Sequence, residues 1–97
     1  MERSERYRKY KKIFWNVDID PTDVDAVVKK KQHYAGPYNY RKVLTRLIES
    51  LPWFTILDII PPDQIYHVLD DEFMNSLRTP SLRKKYAFVK KKLSQSL

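Results

Sequence analysis

The sequence predicts an all-α protein, a compact bundle of four to six short helices entered through an extended N-terminal segment. Three observations predict it. Five prolines, at 21, 37, 52, 62 and 80, punctuate the 97 residues at intervals of 10 to 18, and between them the apolar residues recur at helical steps of three and four. A third comes from composition: 42% hydrophobic and 13% aromatic residues, beside 32% charged ones, supply enough apolar surface for a packed core. A chain of this length buries roughly 60–65% of its unfolded surface, and we expect a basic arm over residues 1–12 followed by a single helical domain over 13–97.

The elements follow in order. Ser4 and Glu5, with Tyr7, Tyr10, Ile13 and Phe14 behind them, permit a short basic helix in the arm, ordered on a partner. From Ile13 to Ile19 the period changes to two, with Ile13, Trp15, Val17 and Ile19 on one side. No second alternating segment follows, so the reading is an extended anchor that plugs Trp15 into a helical core, with intermolecular strand pairing as the alternative. Asp20-Pro21 forms an N-cap and first helical residue. That helix carries Val24, Val27 and Val28 toward Gln32, and Ala35-Gly36-Pro37 stops it with the only glycine of the chain in a left-handed turn.

The next helix, about Tyr38 to Ser50, places Tyr40, Val43, Leu44, Leu47, Ile48 and Leu51 at helical spacing. Pro52 begins a short helix with Trp53, Phe54, Leu57 and Ile60, ended by Pro61-Pro62. Pro62 then opens a helix whose Ile65, Val68, Leu69, Phe73 and Leu77 form one stripe. Thr79 caps the last helix, with Pro80 in its first position and Leu82, Tyr86, Val89 and Leu93 as its apolar face. The expected core comprises Val43, Leu44, Leu47, Ile48, Leu57, Ile65, Leu69, Phe73, Tyr86 and Val89.

Charge is unevenly placed. Residues 1–12 hold six basic and two acidic side chains, residues 13–77 six and ten, and residues 78–97 seven and none, for a formal net charge of +7. On the last helix Arg83, Lys84, Lys90 and Lys91 gather away from the apolar stripe, because positions seven apart realign after about two turns. Such a row follows phosphates, and acidic protein surfaces are attracted equally. Arg6, Arg8, Lys9, Lys11 and Lys12 of the arm supply a second basic segment. Phe88 is placed to stack on a base, whereas Tyr86 falls in the apolar stripe.

Catalytic and metal chemistry find no support. An EF-hand loop counted from Asp18 puts Asp23 where glycine is needed and Lys29 where a bidentate glutamate belongs. An Asp-x-Asp pair for nucleotidyl transfer needs a phosphate-cradling glycine loop before it, and Gly36 lies after it. Asp18, Asp20, Asp23 and Asp25 therefore read as acids that cap and solvate a helix start. His33 and His67, the two histidines, have no partner at ligand or acid–base spacing. No catalytic residue, metal or cofactor is expected. With no cysteine and apolar runs far too short for a membrane span or leader, the expectation is a cytoplasmic protein without a membrane role.

The order Ile13-Phe14-Trp15-Asn16-Val17-Asp18, a proline-led helix, a central Trp53 and then Leu77-Arg78-Thr79-Pro80-Ser81-Leu82-Arg83-Lys84-Lys85-Tyr86 resembles a group of small bacterial helical proteins. These begin with a [LI]FWD-x-D signature and often accompany nucleotidyltransferase-type toxins in toxin–antitoxin loci. The resemblance covers roughly residues 13–93, with Asn16 in place of the usual aspartate. It implies a helical, antitoxin-like regulatory protein and assigns no catalytic residue. Two functions from different classes follow: a regulatory binding protein that contacts nucleic acid or an acidic protein partner, or a purely structural interaction subunit.

Overall fold

The computed structural model describes residues 2–96, Ser96 by its backbone alone. The protein is all-α: seven helices and one two-stranded hairpin are formed among the described residues. The chain divides into two compact units, residues 1–50 and 51–97.

The first unit packs α1 (Arg3–Ile13), α2 (Pro21–Val28) and α3 (Tyr40–Ser50) against one another. Most of the basic arm is thus α1, which packs on α2 and α3 and buries Tyr10, whose hydroxyl donates to Asp25 of α2. The helix pattern of Tyr7, Tyr10 and Phe14 wins over the alternation that begins at Ile13. The Phe14 N–H donates to the Tyr10 carbonyl at 2.9 Å, and a turn closes with the Val17 N–H on the Phe14 carbonyl at 3.1 Å. This corrects the expected extended anchor. Phe14 is buried and Trp15 is 80% exposed, because one more helical step turns Phe14 inward and leaves Trp15 on the outside. The Phe14 ring lies 5.8 Å from that of Tyr38, and the Arg46 guanidinium sits 5.4 Å above it. Arg46 also donates to the Ile13 carbonyl at 2.6 Å, so one side chain from α3 fastens the end of α1.

The Asp20 carboxylate accepts from the Thr22 N–H at 2.9 Å, as an N-cap should. At the other end α2 stops at Val28, four residues before Gln32. The Lys30 and Lys31 N–H groups bond back to Val27 and Ala26, and Lys30 itself takes a φ of 60°, which completes a Schellman stop without glycine. Gly36, at φ 58°, does another job. With Pro37 it turns a hairpin between β1 (Tyr34–Ala35) and β2 (Tyr38–Asn39), antiparallel with Ala35 opposite Tyr38. The Asn39 side chain then accepts from the Lys42 N–H at 2.9 Å and starts α3, which buries Val43, Leu44, Leu47 and Ile48 of the expected set and leaves Tyr40 and Leu51 half-buried.

The second unit contains α4 (Trp53–Ile59), α5 (Pro62–Val68), α6 (Asp71–Ser76) and α7 (Pro80–Ser96). On α4 the buried residues are Ile56 and, just past its end, Ile60, whereas Leu57 is only half-buried. The four-residue step from 56 to 60 defines the inner face, and Leu57 stands 100° from Ile56. The continuous helix expected from Pro62 to Leu77 is broken at Leu69-Asp70. There Asp70 turns its carboxylate onto the Phe73 N–H at 2.8 Å and caps a new helix, which brings the helix count to seven rather than four to six. The two pieces still bury Ile65, Leu69, Phe73 and Leu77 of the expected stripe, with Val68 only half-buried, and α5 and α6 pack on α7.

Candidate functional site

Thr79 and Pro80 start α7 where the sequence places them, with the Thr79 hydroxyl accepting from the Leu82 N–H at 3.2 Å. The seventeen residues contain no acid. Tyr86, Val89 and Leu93 are buried and Leu82 is half-buried. Turning 100° per residue away from that stripe, the helix presents Arg83, Ala87, Lys90 and Ser94, then Lys84 and Lys91, then Phe88, and finally Lys85 and Lys92.

The first of these rows forms one wall of an open groove of about 470 Å³. Its other wall comes from Tyr66 of α5 and from Asp71, Met74 and Asn75 of α6. The groove therefore sets Arg83, Lys90 and Lys91 opposite a mixed wall in which Tyr66 and Met74 stand beside Asn75 and the Asp71 carboxylate. Lys90 Nζ lies 5.9 Å from the Tyr66 ring centroid, a cation–π placement that holds the ammonium over that ring. Arg83 and Lys90 are half-buried, and Lys84 and Lys91 exposed. Among the described residues no salt bridge joins these four to a carboxylate. Farther round, Phe88 is 60% exposed, with Lys92 Nζ 5.4 Å from its ring centroid.

Three of the four cations singled out on α7, namely Arg83, Lys90 and Lys91, thus line one groove, and Lys84 stands beside it on the same helix. The α1 cations divide differently. Arg8, Lys11 and Lys12 are exposed and Lys9 is half-buried. Arg6 faces inward: its Nε donates to Asp25 Oδ1 at 3.0 Å, and the Tyr10 hydroxyl donates to the same oxygen at 3.2 Å. Lys29 Nζ lies 3.0 Å from the other carboxylate oxygen. Arg6 is consequently a structural cation, and Asp25, read as one of a group of solvated acids, is its buried counterion. Burial pushes the Asp25 carboxyl up, but the hydrogen bonds from Arg6 and Lys29 and their charges outweigh it and hold the group below its ordinary value.

Sequence reasoning missed the facing wall. Tyr66, Met74 and Asn75 lie off the apolar stripe of their helices, and nothing local marks them as neighbours of α7. Elsewhere, His33 is exposed beside Tyr34, Asn39, Tyr40 and Arg41 in a shallow depression of about 250 Å³. Among the described residues no three carboxylate, imidazole or thiol groups converge to hold a metal, and no helix is long and apolar enough to cross a membrane.

The fold and site define a small all-α protein with one acid-free basic helix that lines an open groove. No family profile, curated protein or solved structure matches the chain.

Proposed function

We propose that this chain is a small cytoplasmic binding protein, regulatory rather than catalytic, that holds nucleic acid by its phosphates along α7. The observation that carries the proposal is the gathering of Arg83, Lys84, Lys90 and Lys91 on one side of a helix without a single acid, unpaired with any described carboxylate. Like charges held this close repel in the free protein, and a row of phosphates relieves that repulsion while releasing its condensed counterions. The exposed Arg8, Lys11 and Lys12 of α1 add to the same attraction.

Binding of a labelled DNA duplex, measured over a range of salt concentrations, tests it. Affinity should fall with a log–log slope of about −0.9 per neutralised phosphate. Arg83→Ala combined with Lys90→Ala should weaken binding across sequences and flatten that slope, with the helix content unchanged. A parent protein that binds neither duplex nor single strand at low salt sinks the proposal.

One observation favours a second reading, the structural interaction subunit. Trp53 and Phe54 at the start of α4 remain 42% and 63% exposed and meet edge to face, with centroids 6.1 Å apart. Exposed aromatic pairs of this kind anchor protein interfaces. Loss of complex formation with a protein partner in Trp53→Ala and Phe54→Ala, together with no affinity for nucleic acid, would establish that reading instead.

A further inference from the structure

We infer that α7 takes single-stranded nucleic acid, with a base stacked on Phe88 and the flanking phosphates held by Lys84, Lys85 and Lys91. The inference rests on the phosphate-binding reading of α7 and deepens it by naming the form of nucleic acid.

Phe88 is the outlier on this helix. Tyr86, Val89 and Leu93 supply the buried face, so the Phe88 ring, 60% exposed, contributes little to the packing of α7. Its neighbours on the helical surface are the residues three and four positions away. These are Lys84, Lys85, Lys91 and Lys92, and every one of the four is a lysine. Lys92 Nζ stands 5.4 Å from the ring centroid, which directs the ring's electron-rich face to a cation while most of the ring stays open to solvent.

An aromatic face enclosed by cations matches a ligand that alternates flat π-systems with negative charges. Single-stranded nucleic acid is such a ligand, and base-on-aromatic stacking is tolerant of sequence because every base has a π-face. Lys84 and Lys91, seven residues apart, are separated by about 10 Å along the helix axis, so they reach phosphates on either side of a base seated on Phe88. A duplex offers the lysines the same phosphates, but its bases are stacked inside and leave the ring unused. An acidic protein surface likewise engages the lysines and sets the ring against charged groups. The ring is thus the element that discriminates, and the lysines are the element that attracts.

The test uses the full chain, a fluorescein-labelled oligo-dT strand, and the oligo-dT·oligo-dA duplex of equal length, at low salt. The parent should hold the strand more tightly than the duplex. Phe88→Ala should weaken strand binding roughly 5- to 150-fold, the range expected for loss of one stacked base, and leave duplex binding unchanged. Phe88→Trp should retain strand affinity, whereas Phe88→Leu, apolar but without a ring, should not. Circular dichroism confirms that each variant keeps the parent helix content. If the parent binds both forms and Phe88→Ala weakens both alike or neither, the stacking inference is overturned while the phosphate reading stands. If the parent binds neither form, the phosphate reading fails and takes this one with it. Displacement of the strand by polyglutamate as readily as by unlabelled oligo-dT also overturns it, in favour of an acidic protein partner.

Discussion

Asp25 shows how a single residue changes meaning once the chain is folded. In the sequence it is one of four aspartates near a helix start. In the structure it is 6% exposed and accepts from Arg6 and Tyr10 while pairing with Lys29. Asp25→Asn leaves two cations and a buried phenol facing a neutral amide. With Arg6 largely buried and Lys29 half in water, we expect a loss of about 2–3 kcal/mol, measured by urea unfolding at neutral pH. The pH dependence follows from the direction of the shift. The folded carboxyl is held below its ordinary value of 3.8, so in acid the unfolded chain binds the proton first. The contribution is complete above the unfolded value and disappears as pH falls through the folded one. Asp25→Asn should therefore flatten the acid limb of the stability profile; an unchanged limb would show that other carboxylates carry it.

Tyr86 makes the opposite case. Its ring is buried at 1% exposure, and its hydroxyl has no hydrogen-bond partner among the described residues. Burial pushes the phenol up to about 12 from an ordinary 10.0. Because the folded value is raised, the unfolded chain loses its proton first, and stability falls as pH rises from about 10 to about 12. Tyr86→Phe removes an unsatisfied buried hydroxyl and keeps the ring. It should leave stability unchanged or raise it by about 1 kcal/mol, and abolish that alkaline loss. A drop of similar size would instead reveal a hydrogen bond made by the hydroxyl.

At the scale of elements, the capped and proline-led helix starts at Asp20, Pro52, Pro62 and Thr79 were legible, as were the stops at Ser50 and before Pro61-Pro62, whereas the stop of α2 and the break between α5 and α6 were not. Asp20, Thr79 and Pro80 act as read, because a capping side chain bonds backbone only two or three residues away. The stop of α2 depends on Lys30, a residue with no preference for φ 60°, held there by the Val27 and Ala26 carbonyls. This left Gly36 free to turn the hairpin. A Cβ at Gly36 would sit 2.9 Å from Ile19 Cγ1, on a backbone at φ 58°. Gly36→Ala should therefore cost about 1–2 kcal/mol by thermal or urea unfolding, and a variant as stable as the parent would contradict the turn. The break between α5 and α6 has the same character. The apolar stripe runs through Leu69 and Phe73 without interruption, so periodicity hides the Asp70 cap that divides it.

For the whole molecule, composition and period were enough to predict an all-α fold and nine of the ten expected core residues, Leu57 being half-buried in place of its neighbours Ile56 and Ile60. They were also enough to mark α7 as the basic helix, since an apolar stripe and an acid-free surface are both local properties of one segment. Only tertiary structure decided which cations remain outward. Arg6 and Arg83 are the same residue on two basic helices, and the difference is that Arg6 meets Asp25, nineteen positions away, whereas no described carboxylate forms a salt bridge with Arg83, or with Lys84, Lys90 or Lys91. The same holds for the aromatics. Phe14 and Trp15 are adjacent and equally apolar, yet Tyr38 and Arg46 form a site for one ring alone. Local order along the chain sets period, caps and charge; which side of each helix is covered depends on residues distant in sequence, and that pairing exists only after folding.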